Sequence, residues 1–287
     1  MKSILVVSIL IVAVLSTESN DSHQCNIPNQ ETHNQTCACD KDFTAGYKNY
    51  LKEVVYNGNS IIYTKYSDYI YKNDEMDIHL VKTDHFGKML YMDGYVQSSD
   101  ADKHVYHESL VQPAFLYFKG KPKRVLIGGG GELMTAAEVL KHKTVEVVDM
   151  VDISKETVEE CKTELFSFHD DSWKDPRLKI VYSCVYEYLK NYKGEPYDIV
   201  IMDIEDPTEN YSILGRLYMK EFYSFVKKNM NPEGVFVTQG TGFHQVNWKT
   251  PAIIRRTAEA VWGNAFLYRS FCVWYMEMWG FVMAGAC

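Results

Sequence analysis

The sequence predicts an α/β fold: a parallel sheet whose strands alternate with helices, preceded by a small β-rich domain. Three observations carry that reading. Residues 124–142, RVLIGGGGELMTAAEVLKH, read as a buried strand (Val125-Leu126-Ile127), a glycine turn (Gly128 to Gly131) and a helical stretch opened by Glu132, with Leu133, Ala136, Ala137 and Leu140 at helical spacing. Beyond it, strand and helix patterns alternate to the end of the chain, as a parallel sheet requires. Before it, residues 45–115 alternate apolar and polar side chains and carry the hairpin signal Asp93-Gly94.

The elements follow in order. Ile61-Ile62-Tyr63, Tyr69-Ile70-Tyr71, Asp77 to Val81 and Lys88 to Met92 read as strands, with a turn at His85-Phe86-Gly87. Tyr106 to Phe118 has helical spacing through His107, Leu110, Val111, Ala114 and Phe115, and Pro122 marks the start of the second domain. Val145 to Val151 is a strand ending in Asp152, Lys155 to Phe166 a helix, Leu178 to Tyr182 a strand, and Tyr186 to Tyr192 a short helix. Tyr197 to Met202 is a strand ending in Asp203, Tyr218 to Met230 a helix, Val235 to Thr238 a strand, and Thr250 to Trp262 a helix. Two strands, near 265–275 and 279–284, close the chain.

Length and composition bound the function. At 287 residues with 46% hydrophobic content the chain buries a real core. A net charge of −8 argues against nucleic acid and suits a cationic small molecule; the 21 tyrosines supply rings that hold amines well. Lys2 precedes an apolar run, Ile4 to Leu15, then Ser16-Thr17, which reads as a secretory signal peptide over 1–17, too short for an ordinary membrane span. Residues 18–44 form a polar segment with Cys25, Cys37 and Cys39, read as one disulfide and a leftover thiol. Asn20, Asn34 and Asn210 open sequons that a secreted chain would glycosylate. The domains are then 1–17, 18–44, a β domain over 45–115 and an α/β domain over 116–287.

The chemistry sits in the glycine turn and at strand ends. Glycine lets a ligand approach the backbone, and the helix that follows offers unpaired N–H groups. The dinucleotide pattern GxGxxG is not met, because Leu133 and Met134 stand where its last glycine belongs. Glu132 occupies the place a pyrophosphate would approach, so the turn suits a nucleoside with a positive centre. Ligands of open α/β sheets bind at the carboxyl ends of strands. Asp152, 21 residues after Gly131, has the spacing of a ribose-binding acid, with a helix N-cap role beside Ser154 as the plain alternative. Asp203 and Asp206 form an acidic loop able to hold an ammonium group and take its proton.

These residues carry a family pattern. MDGYVQSSDADKHVYHESLVQPAFL (92–116), GGGELMTAAEVLKHKTVEVVDMVDI (129–153), MDIEDP (202–207), LYMKEFY (217–223), NPEGVFVTQGTG (231–242) and MWGFVMA (278–284) resemble the polyamine aminopropyltransferases, the spermidine synthase family, most of all its plant-type thermospermine synthases. The resemblance implies a small β domain before a methyltransferase-like Rossmann domain. It implies aminopropyl transfer from decarboxylated S-adenosylmethionine, a co-substrate rather than a cofactor, to a polyamine, and no bound metal. Its members commonly form homodimers. By resemblance Glu132 holds the donor's aminopropyl amine, Asp152 binds its ribose, Asp203 deprotonates the attacking amine and Asp206 anchors the acceptor. Tyr106 flanks the reacting centre and His107 follows it at the substrate. Gly129, Gly131, Cys184 and Val185 complete the donor site.

The pattern departs from the family at Ser183-Cys184, where a Gly-Asp pair is usual, at Glu75-Met76, where a Tyr-Gln pair is usual, and at Leu133, where glycine is usual. An acceptor-contacting tyrosine aligns with Trp274 or Tyr275. Two other readings compete with the transferase: a secreted, non-catalytic binder of polyamines or nucleosides on the same fold, and a methyltransferase using S-adenosylmethionine. Glu132 speaks against the last, since it would face the extra carboxylate of that donor.

Overall fold

Period-two alternation builds the first half of the structure. Strands β1 (Tyr50–Val55) and β2 (Ser60–Lys65) pair antiparallel. Strands β3 (Asp68–Asn73), β4 (Ile78–Thr83), β5 (Gly87–Met92) and β6 (Tyr95–Ser99) form a four-stranded antiparallel sheet in chain order. The computed structural model describes residues 50–55, 60–73, 77–164, 169–207, 213–245 and 247–285. The leader, the 18–44 segment, Cys287, the three sequons and Glu75-Met76 lie outside the described residues. Asp93 (φ 52°) and Gly94 (φ 76°) both take left-handed conformations between β5 and β6, the geometry of a tight hairpin turn.

Helix α1 (Lys103–Tyr117) leaves this sheet through Asp102. Ser99 Oγ donates to Asp102 Oδ1 at 2.9 Å, and Asp102 Oδ2 accepts from the backbone N–H groups of Val273 (2.5 Å) and Trp274 (3.3 Å). The buried stripe of α1, including Leu110, Val111 and Ala114, packs in one core with Val125, Ile127, Ile199 and Phe281 of the large sheet. Pro113 interrupts the helix ladder, because it has no N–H to offer the carbonyl of Ser109. Tyr268 Oη donates to that freed carbonyl at 2.9 Å, so the helix breaker doubles as a tether to the sheet. The helix therefore belongs to the large sheet. The expected boundary between 115 and 116 falls inside it, and the change of architecture lies between Ser99 and Lys103 instead.

The large sheet has seven strands. β7 (Arg124–Gly129), α2 (Met134–Leu140), β8 (Val147–Asp152), α3 (Lys155–Glu164), a single 3₁₀ turn (Ser172–Lys174), β9 (Leu178–Tyr182), α4 (Val185–Asn191) and β10 (Tyr197–Asp203) follow one another. Then come α5 (Ile213–Arg216), α6 (Lys220–Lys228), β11 (Met230–Gly242), α7 (Lys249–Trp262), β12 (Phe266–Cys272) and β13 (Glu277–Gly285). The order across the sheet is β12-β13-β11-β10-β7-β8-β9, parallel from β11 to β9, with β13 and β12 added antiparallel at one edge. Alternate residues of the central strands feed two cores. Val125, Ile127, Ile199 and Ile201 pack on one face with α1, and Leu126, Val200 and Met202 on the other with Phe222, Val226, Ile254 and Ala258. Among the described residues no helix is long and apolar enough to cross a membrane.

Two elements differ most from their expected bounds. The helix expected over 218–230 is α5 and α6 with a break between them: Met219 is extended (φ −88°, ψ 155°) and opens α6, and Met230 already begins β11. Strand β11 is far longer than 235–238. Its pairing with β10 jumps from Tyr197↔Met230 to Ile199↔Val235, so Asn231 to Gly234 bulge out around Pro232, which cannot donate to a ladder.

The chain reverses its winding direction between β7 and β10: β8 and β9 lie to one side, β10 and β11 to the other. The carboxyl ends of β7 and β10, paired Gly129↔Asp203, thus flank the crevice where open α/β sheets bind ligands. Gly129 stands there with φ 76°, and a Cβ added to it would lie 2.1 Å from the Asp203 carbonyl oxygen. Gly129→Ala is therefore expected to cost at least about 3 kcal/mol through left-handed strain and backbone displacement, read as a lowered midpoint in chemical unfolding, whereas Gly94→Ala, with open space around its Cβ, should cost less.

Candidate active site

The glycine turn brings three acids together. Gly129 and Gly130 are left-handed (φ 76° and 77°), and the Gly130 N–H donates to the Asp203 carbonyl at 2.9 Å. This fixes the end of β10 against the turn. Helix α2 begins at Met134, two residues later than the spacing suggests, because Leu133 is itself left-handed (φ 68°) and closes the turn with its N–H on the Gly130 carbonyl at 2.8 Å. A leucine here bears strain of about 1–2 kcal/mol that glycine would not. Its side chain is fully buried in the core beneath, which offsets that cost.

Asp203 sits between two hydroxyls. Tyr106 Oη donates to Oδ1 at 2.8 Å and Thr135 Oγ1 to Oδ2 at 2.5 Å. Thr135 is fully buried in the first turn of α2, and Tyr106 is almost so on α1. Burial and the Asp203 charge push the Tyr106 phenol well above its ordinary range, so it remains a donor. Rings crowd it on the other side: Phe281 at 5.5 Å, Trp274 at 6.2 Å, Tyr275 at 6.4 Å and Trp279 at 6.5 Å between centroids, with Tyr275 stacked on Trp279 at 4.1 Å. The residues aligned with an acceptor-contacting tyrosine therefore do form a wall beside Tyr106.

Glu132 carries its Oε1 2.7 Å from His107 Nε2, while the other carboxylate oxygen, Oε2, is buried and has no hydrogen-bond partner among the described residues. His107 Nδ1 lies 2.7 Å from the Lys103 carbonyl. Burial opposes charge on this imidazole, but Glu132, Asp203 and the carbonyl outweigh it and raise its pKa. His107 is wholly buried, so the expectation that it touches substrate fails. On a helix, the residue after Tyr106 is turned by about 100°, which aims it behind the glycine turn; its task is to hold Glu132.

Asp152 closes the other side. Its Oδ1 accepts from Ser154 N–H at 2.8 Å, its Oδ2 would stand 3.0 Å from a Cβ on Gly131, and its own carbonyl accepts from Ser183 N–H at 2.9 Å. Ser154, not Asp152, caps α3, through Oγ and the Thr157 N–H at 3.1 Å. Burial and the neighbouring Asp203 raise the Asp152 pKa against the pull of the Ser154 and Gly131 amides. Cys184 is a half-buried free thiol at the start of α4. Val185 is buried and packs under Gly128, so it shapes the floor of the turn rather than an exposed contact.

Beyond Asp203 the loop continues to Asp206. Gln239 Nε2 lies 2.8–2.9 Å from Asp206 Oδ1, Tyr218 Oη and the Ile204 carbonyl, and Gln239 Oε1 accepts from Thr241 N–H at 2.8 Å. Tyr218 Oη donates to the Glu205 carbonyl at 2.8 Å. Asp206 opens to solvent yet is packed round by protein, as a residue on a cleft wall is. That crowding pushes its acid up to about 6, Gln239 pulling the other way and Glu205 adding repulsion. Thr135, Gln239 and Tyr218 carry no expected role; each lies within a family-like stretch, but their use depends on pairings far apart in sequence.

The acids repel one another: Asp152 with Asp203, Glu205 with Asp152, Asp206 with Glu205. A cationic ligand relieves that repulsion. Two open surface grooves, of 560 and 470 Å³ between α6 and α7, do not compete for such a ligand. Lys220, Lys227, Lys228 and Arg256 line them, the wrong charge for an amine.

Comparison with known proteins agrees with this geometry. Residues 103–285 match the family described as Spermine/spermidine synthase domain. The polyamine aminopropyltransferase of Aeropyrum pernix is 40% identical over 208 residues, covering 72% of this chain and 65% of that protein. That of Saccharolobus solfataricus is 38% identical over 214 residues, covering 75% and 70%. The chain thus spans just under two thirds of the first of these relatives. A crystal structure of spermidine synthase in complex with the transition state analogue AdoDATO superposes with a TM-score of 0.75 at 27% identity, covering 83% of this chain and 80% of that one. The spermidine synthase of Thermotoga maritima gives 0.73 at 27% identity, covering 82% and 78%. Sequence and fold together place this chain in the spermine/spermidine synthase family.

Proposed function

We propose that the protein transfers an aminopropyl group from decarboxylated S-adenosylmethionine to a primary amine of a polyamine. The observation that carries this is Asp203, a carboxylate held by two hydroxyls at the switch point of the sheet, with Glu132 on the neighbouring glycine turn keeping one oxygen without a hydrogen-bond partner among the described residues. The donor's primary ammonium meets Glu132, its ribose meets Asp152, and its sulfonium lies among negative groups. The acceptor amine reaches Asp203, and its far cationic end meets Asp206.

The chemistry follows from charge. A polyamine nitrogen is protonated at neutral pH and attacks only as the free base. Asp203 takes the proton. The freed lone pair forms a C–N bond to the carbon next to sulfur, and the C–S bond electrons return to sulfur, leaving neutral methylthioadenosine. Holding both partners in line supplies much of the rate. Tyr106 and Thr135 occupy both carboxylate oxygens, so they set the direction of the base. On the motif resemblance, thermospermine-type acceptors are the first to try. The apolar run Ile4 to Leu15 supports secretion, which the N-terminus of the native protein, read by mass spectrometry, would test.

The decisive assay incubates the purified chain with decarboxylated donor and putrescine, spermidine or spermine and measures methylthioadenosine; none formed with any acceptor would leave the binding-only reading. Asp203→Asn should lower kcat about 10²–10⁴-fold with the fold intact by circular dichroism. Thr135→Val, which keeps shape and loses the hydroxyl, should lower kcat by about tenfold with little change in KM, and Thr135→Ser should recover most of it. Equal activity of the two variants would remove Thr135 from the machinery. As pH falls through about 6, Asp206 gains a proton and its attraction for the acceptor is lost. kcat/KM for the acceptor should then fall more steeply below that pH, and Asp206→Asn should lack the extra bend.

A further inference from the structure

We propose that the outer surface where α1 meets α2 holds a site for a divalent transition cation of the zinc type, distinct from the acid cluster at the glycine turn. His104 and Glu108 stand four residues apart on α1 and so share one face of it. Both are exposed, on the side of the helix away from the buried Tyr106 and His107. Glu138 approaches from α2 and is only 1% exposed. One ligand atom from each of the three lies within 4.8 Å of the other two.

The donor set decides the class of ion. One imidazole and two carboxylates, with no thiolate, suit Zn²⁺, Co²⁺, Ni²⁺ or Mn²⁺ rather than Cu⁺, and the imidazole disfavours Mg²⁺ and Ca²⁺. Bonds to zinc of about 2.0–2.2 Å place its ligand atoms a little over 3 Å apart. The exposed side chains of His104 and Glu108 close the remaining distance by rotating, while the third ligand is fixed. Gln112 Nε2 donates to Glu138 Oε2 at 3.1 Å, and Gln112 Oε1 lies 2.9 Å from His142 Nε2, so the buried carboxylate is braced from behind. Such bracing is the usual support of a metal-binding carboxylate. Lys141 pairs with Glu138 Oε1. Its ammonium is half exposed and swings into solvent when a dication takes its place. Two carboxylates from different helices meet here beside one lysine, an arrangement a dication neutralises more fully.

A bound ion would link α1, which carries Tyr106, to α2, which opens with Thr135. Calorimetric titration of the full chain with ZnCl₂, after alkylation of accessible thiols, tests this. The expected result is one zinc bound per chain through this site, and a rise in Tm of about 3 °C at tenfold excess over Kd. His104→Ala and Glu108→Gln should each weaken binding at least tenfold, and His85→Ala, at an exposed turn elsewhere, should not. Unchanged zinc affinity in the His104→Ala/Glu108→Gln double variant would overturn the site. So would a wild-type chain whose Tm ignores zinc.

Discussion

Everything in this site depends on how closely two stretches of backbone approach each other. The Asp203 carbonyl accepts from Gly130 N–H at 2.9 Å, and no side chain fits at Gly129 between them. That contact joins the first strand of the large sheet to the one beside it across the point where the winding reverses. It also sets where the Asp203 carboxylate begins, and hence where Tyr106 and Thr135 can meet it. A helix from one side of the molecule and a turn from the other converge on a single carboxylate because the backbone beneath is already pinned.

Around this point the protein concentrates charge that it does not neutralise. Glu132 is half satisfied by His107, Asp152 by amides, Asp206 by Gln239. Among the described residues these acids are held by imidazole, hydroxyl and amide groups rather than by lysine or arginine. Lys220, Lys227, Lys228 and Arg256 line grooves along α6 and α7 instead. Such separation lowers the stability of the empty site and raises its affinity for a ligand that brings its own positive charge. A polyamine and a sulfonium nucleoside are ligands of that kind.

Much of this was legible in the sequence. The strand–glycine–helix stretch and the acids Asp152 and Asp203 declared the switch point, because strand ends follow directly from apolar runs and the chain order of an α/β unit leaves few topologies. Tyr106 and Glu132 were legible as well. His107 was misread, since adjacency in sequence is not adjacency in space on a helix. Thr135, Tyr218 and Gln239 were invisible because their partners lie 68, 13 and 33 residues away, at Asp203, the Glu205 carbonyl and Asp206 respectively. The 103–115 stretch was assigned to the wrong sheet: periodicity names a helix and its apolar face but not the surface that face will cover. Leu133 shows the opposite limit, where a residue ill-suited to its backbone angle is retained for the volume it fills below.

The Asp102 latch has one more consequence. Its carboxylate grips the amides of Val273 and Trp274 while its own backbone starts the helix that bears Tyr106. The aromatic wall and the tyrosine that steers the base are thus fastened to the same post. The position of the rings and the position of that tyrosine are therefore set by one carboxylate rather than independently.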